Sequence, residues 1–174
     1  MIQIRILDGL PVYGEPVLSF PQPNAFREGL VVEFATDSGR WVGNFASGPT
    51  DGFQAIHAEF GAQDIFVFSS GSGYVIDADS RVLVAELGFG FTWVEFVGEL
   101  GLLLASNDLW FEAYVGKQLK WRTRRLSWDG MRSIRRSGAV LTAEGHRIDE
   151  TWHPLTVNLN TGETVGGGYD GPDA

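Results

Sequence analysis

Two of the three histidines, His146 and His153, bracket Asp149 and Glu150 within eight residues. Imidazole and carboxylate are ligands for zinc and similar ions, which require three or four donors converging at about 2 Å. On a helix all four side chains would share one face. Pro154 follows directly, however, and the flanking residues read as strands with a loop at Ile148–Trp152. Solvated loop charges are therefore expected, with no metal and no other cofactor. The Ser69-Ser70-Gly71-Ser72-Gly73 run has the glycine content of a nucleophile elbow without its G-x-S-x-G pattern, and reads as a tight turn before Tyr74. No phosphate-loop lysine and no strand–glycine loop–helix context for a dinucleotide is present. Glu95 and Glu99 lie in an apolar stretch, where a buried Glu95 needs a cationic partner more than it suggests acid catalysis. The absence of cysteine excludes disulfides, thiol catalysis and iron–sulfur ligation.

The densest chemistry is cationic. Lys117–Arg136, KQLKWRTRRLSWDGMRSIRR, holds eight of the thirteen Lys and Arg residues and one acid, Asp129, in a chain of formal net charge −9. Three arrangements fit. The arginines can pair with acids of the same chain, their stems covering aromatic surface. They can hold phosphate while Trp121 and Trp128 stack on single-stranded bases. Or they can meet an acidic protein, where Arg and Trp are favoured anchors. The negative net charge repels polyanions, so nucleic acid is disfavoured and internal pairing leads. One of the arginines is the natural partner for Glu95. Whatever the fold leaves unpaired among Arg122, Arg124 and Arg125, with Trp121 and Trp128, is the expected contact for a protein partner.

Local geometry sharpens this. Leu119, Trp121 and Thr123 would share one strand face and Lys120, Arg122 and Arg124 the other, with a bulge or strand end near Arg124–Arg125 where the phase changes. Asp129-Gly130 is a hairpin-turn dipeptide. A two-residue turn there would set Arg124 against Arg135, which requires neighbouring acid.

The elements that must position these residues are strands. Period-two alternation recurs at Ile2–Leu7, Leu30–Ala35, Trp41–Phe45, Ile65–Phe68, Tyr74–Ile76, Val82–Ala85, Phe91–Val97, Leu109–Val115 and Leu155–Leu159, separated by Gly, Asp, Asn and Ser clusters. Only Asp51–Phe60 admits a helical turn. LVVEFATDSGRWVGNF, YVIDADSRVLVAEL, WFEAYVGKQLKW and LTVNLNTGETVGGG share a strand–turn–strand form at offsets near 40 residues, the spacing of propeller blades. Ile65–Phe68, Tyr74–Ile76, Val82–Ala85 and Phe91–Val97 would form one four-stranded meander. The expected fold is all-β: an antiparallel meander of consecutive hairpins with propeller-like or β-sandwich packing. Residues 1–169 are expected to form a single domain and 170–174 a disordered tail, while Pro21 and Pro23 mark Ser19–Gly29 as a connecting loop.

WRTRRLSWDG, Trp121–Gly130, and TWHPLTVNLNTGETVGGGY, Thr151–Tyr169, resemble segments of uncharacterised bacterial all-β proteins of unknown function. The resemblance implies strands, an Asp-Gly turn and a hairpin built on Asn160-Thr161-Gly162, and no activity. The N-terminus lacks the apolar core of a secretion signal, and Glu95, Glu99 and four glycines interrupt Leu87–Ala105, so a cytoplasmic protein with no membrane segment is expected. The functional expectation is a non-enzymatic domain that binds another protein. The alternatives are a small hydrolase-type enzyme, whose residues would converge only in space, and a carbohydrate-binding module using some of the six tryptophans.

Overall fold

Alternating apolar residues between turn clusters form strands in the computed structural model, which describes residues 2–23 and 27–172. Among the described residues sixteen strands make four four-stranded sheets, and there is no helix. The fold is all-β. Hence, among the described residues, no helix is long and apolar enough to cross a membrane. The chain divides into two compact units, Met1–Phe91 and Thr92–Ala174.

In the first unit, β1 (Gln3–Leu7), β2 (Leu18–Phe20), β3 (Leu30–Thr36) and β4 (Gly39–Phe45) assemble in the order β1-β3-β4-β2. Pairing is antiparallel except that β2 runs parallel to β4. The second sheet is a simple meander of β5 (Gln54–His57), β6 (Ile65–Ser69), β7 (Ser72–Asp77) and β8 (Val82–Gly88). Alternate residues of both sheets, Leu30, Val32 and Phe34 with Ile65, Val67 and Ile76, bury one shared core. Phe34 stacks on Trp41 with centroids 4.6 Å apart, and the indole donates to the Ala78 carbonyl at 2.9 Å. The polar end of this ring is thereby satisfied inside an apolar layer.

The second unit repeats the plan. β9 (Trp93–Val97), β10 (Leu102–Ser106), β11 (Phe111–Val115) and β12 (Gln118–Arg122) form one meander. β13 (Met131–Ser137), β14 (Val140–His146), β15 (Trp152–Asn158) and β16 (Thr164–Gly166) form the other. Leu102, Leu104 and Phe111 of the first meet Leu141, Leu155 and Val157 of the second in a common core.

The four repeated segments are the hairpins β3–β4, β7–β8, β11–β12 and β15–β16, one in each sheet. The phase within the repeat differs from expectation by one strand. Trp93–Val97 opens the third sheet, and the missing strand of the second is Gln54–His57, inside the segment that had admitted a helical turn. Gly52 at φ 74° and Gly61 at φ 96° turn the chain on either side, and Gln54–His57, four of the eight residues between them, pair with β6. Asp129-Gly130 also departs from expectation. It makes a turn, but β13 pairs with β14, so Arg124 never faces Arg135 and the dipeptide joins two sheets instead of two strands.

Candidate functional site

The basic strip is divided by the fold into an edge strand, a connector and a second edge strand. β12 lies at one edge of its sheet, and its register with β11 slips between Ala113 and Tyr114, leaving Lys120 as the extra residue of a bulge. The phase thus changes at Lys120, earlier than the expected Arg124–Arg125, and the strand ends at Arg122. The slip brings Arg122 onto the face of Glu112, whose side chain is almost wholly buried. Arg122 Nε donates to Glu112 at 2.6 Å, Trp110 Nε1 donates at 2.9 Å, and the Tyr114 hydroxyl donates to the second carboxylate oxygen. The guanidinium also lies 5.3 Å from the Trp110 ring centroid. Burial, and then the neighbouring Glu112, push the Tyr114 phenol far above its ordinary value. This is a satisfied buried carboxylate whose proton acceptors are all engaged.

The connector 123–130 is a clasp. Trp121 donates to the Leu159 carbonyl at 3.0 Å, and its ring covers Gly162, where a Cβ would fall 2.8 Å from the indole. Arg124 donates to the Gly166 carbonyl at 2.7 Å and the Arg125 carbonyl at 3.1 Å. Arg125 donates to the carbonyls of Ser127 and Trp128, with its guanidinium 5.4 Å from the Trp128 ring and 4.7 Å from that of Tyr169. Trp128 donates to Asp170 at 2.9 Å, and Arg147 reaches the other oxygen of the same carboxylate at 2.7 Å. The hydrogen bond from Trp128, reinforced by Arg147, holds the Asp170 carboxyl below its ordinary value. Of the tail expected to be disordered, Asp170 is tied in this way and the Tyr169 hydroxyl donates to the Pro172 carbonyl; residues 173 and 174 lie outside the described residues.

On β13, Arg136 binds Glu95 at 2.8 Å, the pairing that the sequence suggests for that acid. Arg132 binds Glu144 at 3.0 Å and lies over Trp152 at 4.2 Å. The Arg132 hydrogen bond is the main reason the Glu144 carboxyl sits below its ordinary value. Three strip arginines therefore have carboxylate partners, and two have backbone carbonyls. Among the described residues Lys117, Lys120 and Arg135 have no carboxylate within 4 Å.

The histidine run falls on the β14–β15 hairpin, with its loop where the sequence places it. His146 approaches Glu150 at 3.3 Å, while His153 faces the Thr151 hydroxyl at 2.9 Å and that hydroxyl donates to Asp149. The four side chains make two separate local contacts. Among the described residues no group of three or more such side chains is placed to hold a metal ion.

A different surface stands out for exposure. Ile6, Leu10, Val12 and Tyr13 are 52%, 42%, 85% and 91% exposed, four of the eleven large apolar side chains so exposed among the described residues, within eight positions. They follow one another along β1 and the loop after it. The loop base is fixed by the Leu10 amide, which donates to Glu28 at 3.1 Å, and its far end by Glu15, 3.4 Å from Arg81. Beneath it is a cleft of about 340 Å³ lined by Arg5, Leu7, Pro11, Tyr13, Glu33 and Trp41. Arg5 and Arg40 share the single carboxylate of Glu33 at 3.3 and 3.5 Å. β1 is a sheet edge and pairs with β3 in unbroken register. The sequence signal for this patch is apolar side chains in a segment, PVYGEP, that its two prolines and Gly14 at φ 125° mark as a loop.

Comparison with protein families, with curated proteins and with solved structures returned no match to this chain.

Proposed function

We propose that the protein is a non-enzymatic domain that binds another protein, and that its contact surface is the edge strand β1 with the loop Asp8–Val17. The observation that carries this reading is the apolar run Ile6, Leu10, Val12 and Tyr13, held out by a loop fixed at both ends. Contiguous exposed apolar and aromatic side chains mark interaction surfaces in soluble proteins. Tyr in particular offers a large contact area at low entropic cost.

The basic strip, by contrast, reads as structural. Trp121, Arg122, Arg124, Arg125 and Trp128 each spend their polar groups on Leu159, Glu112, Gly166, Ser127 and Asp170 of the same unit. An Arg122→Glu change would put two acids together in a buried site, so it reports on folding rather than on binding. Val12 and Tyr13 can be changed without touching the core. Affinity capture from cell extract with wild type and the Val12→Ser/Tyr13→Ser variant tests the reading. Proteins retained by the wild type are expected to be lost from the variant at unchanged melting temperature. An identical set retained by both would overturn it.

A further inference from the structure

Resting on that reading, we propose that the occupant of the β1 edge is an extended, cationic and apolar segment of the partner, which adds to the sheet as a further strand. β1 presents on its outer side a regular row of backbone groups, because its register with β3 is unbroken over all five residues. Among the described residues five of the other seven sheet edges are blunted. β8, β12 and β13 carry register shifts, β2 and β16 have three residues each, and Lys120 bulges from β12. Bulges, short strands and edge charges are the usual protection against strand addition; β1 carries only Arg5, and β5 and β9, though in unbroken register over four and five residues, present no large exposed apolar side chain like Ile6. An incoming strand would lay its alternate side chains against Ile6 and extend over Val12 and Tyr13.

Charge selects the occupant. The first unit carries four Arg and Lys against eleven Asp and Glu, so about −7 of the formal −9 belongs to it. Asp8, at the end of β1, has no cationic partner among the described residues, whereas Arg5 shares the Glu33 carboxylate with Arg40. That field attracts a cationic segment and repels an acidic one. A second copy is disfavoured twice. Two units of about −7 would approach each other, and the symmetric antiparallel register centred on Arg5 would set Arg5 against its own counterpart.

The probes are a ten-residue alternating Lys–Val peptide and its Glu–Val counterpart, titrated into the isotope-labelled full chain and followed by amide NMR. The Lys–Val peptide is expected to shift amides of residues 3–13, to weaken as ionic strength rises from about 0.05 to about 0.5 M, and to lose about tenfold in affinity with Val12→Ser/Tyr13→Ser. Equal or tighter binding of the Glu–Val peptide overturns the charge assignment, and shifts centred elsewhere overturn the site. A wild-type dimer dissociated by the serine variant would make the occupant a second copy and overturn the proposal. Binding of neither peptide, while capture of a partner still depends on Val12 and Tyr13, overturns strand addition and leaves the broader reading standing.

Discussion

Glu112 shows how one buried charge organises its surroundings. It is 2% exposed, and its two oxygens accept from Trp110, Tyr114 and Arg122. Removing the acid strands two ring donors and a guanidinium, so Glu112→Ala is expected to cost about 3 kcal/mol in urea denaturation. Lys120→Ala, at a solvated bulge, should stay within about 0.5 kcal/mol. Tyr114 gives a pH signature. Its phenol titrates higher in the folded than in the unfolded chain, so its contribution is complete below the ordinary value of 10.0 and is lost as pH rises through the folded value. Ultraviolet titration of the folded wild type should therefore show phenols that resist ionisation above pH 10, Tyr114 and the buried Tyr74 among them, and Tyr114→Phe should remove one of these steps. Asp170 and Glu144 have the opposite sign. Their folded values are depressed, so their contribution is present above the ordinary carboxylate range and fades as pH falls through the folded values. Asp170→Asn should flatten the acid limb of the stability profile measured between about pH 5 and pH 2.

Several strands are legible from alternation, though β14, which alternates between buried and exposed positions, is not among those the sequence names. β3 and β4 alternate because Leu30, Val32 and Phe34 face a core, and the β15–β16 turn is readable from Asn160-Thr161-Gly162. β10 and β6 are both buried on both faces, but β6 reads as a strand from its β-branched and aromatic IFVF, whereas the LLLAS of β10 has neither that composition nor alternation. β5 is hidden for a different reason: a strand of four residues is too short to display a period. The Asp129-Gly130 turn misled because a turn dipeptide fixes local backbone geometry and not the strand that follows; β14 offered β13 a longer ladder than the connector could. In the site, that a strip arginine would pair with Glu95 is readable from charge, though not that it is Arg136, while the exposed loop apex is not readable, because exposure is decided by what fails to cover a side chain. The turn supplies its own test. Gly162 sits at φ 78° under the Trp121 ring, so Gly162→Val should cost about 2–4 kcal/mol and shift Trp121 fluorescence, whereas the same change at exposed Gly138, φ 58°, meets no neighbour and carries the backbone cost alone.

Across the molecule, charge and apolar exposure are distributed unequally. The second unit holds nine Arg and Lys against eleven acids and spends most of its arginines on its own carboxylates and carbonyls. The first is strongly acidic and exposes Ile6, Leu10, Val12 and Tyr13 beside a regular sheet edge. A basic strip thus reads as internal construction, and the proposed recognition surface is the N-terminal edge, where the sequence is chemically plainest. The net charge of −9 disfavours self-association at low salt. The most direct measurement places the photo-crosslinking residue p-benzoylphenylalanine at position 13 in one version of the protein and at position 120 in another, both irradiated in cell extract. A discrete adduct from position 13 and none from position 120 is predicted. Adducts from position 120 with position 13 silent would contradict the assignment and return recognition to the basic strip.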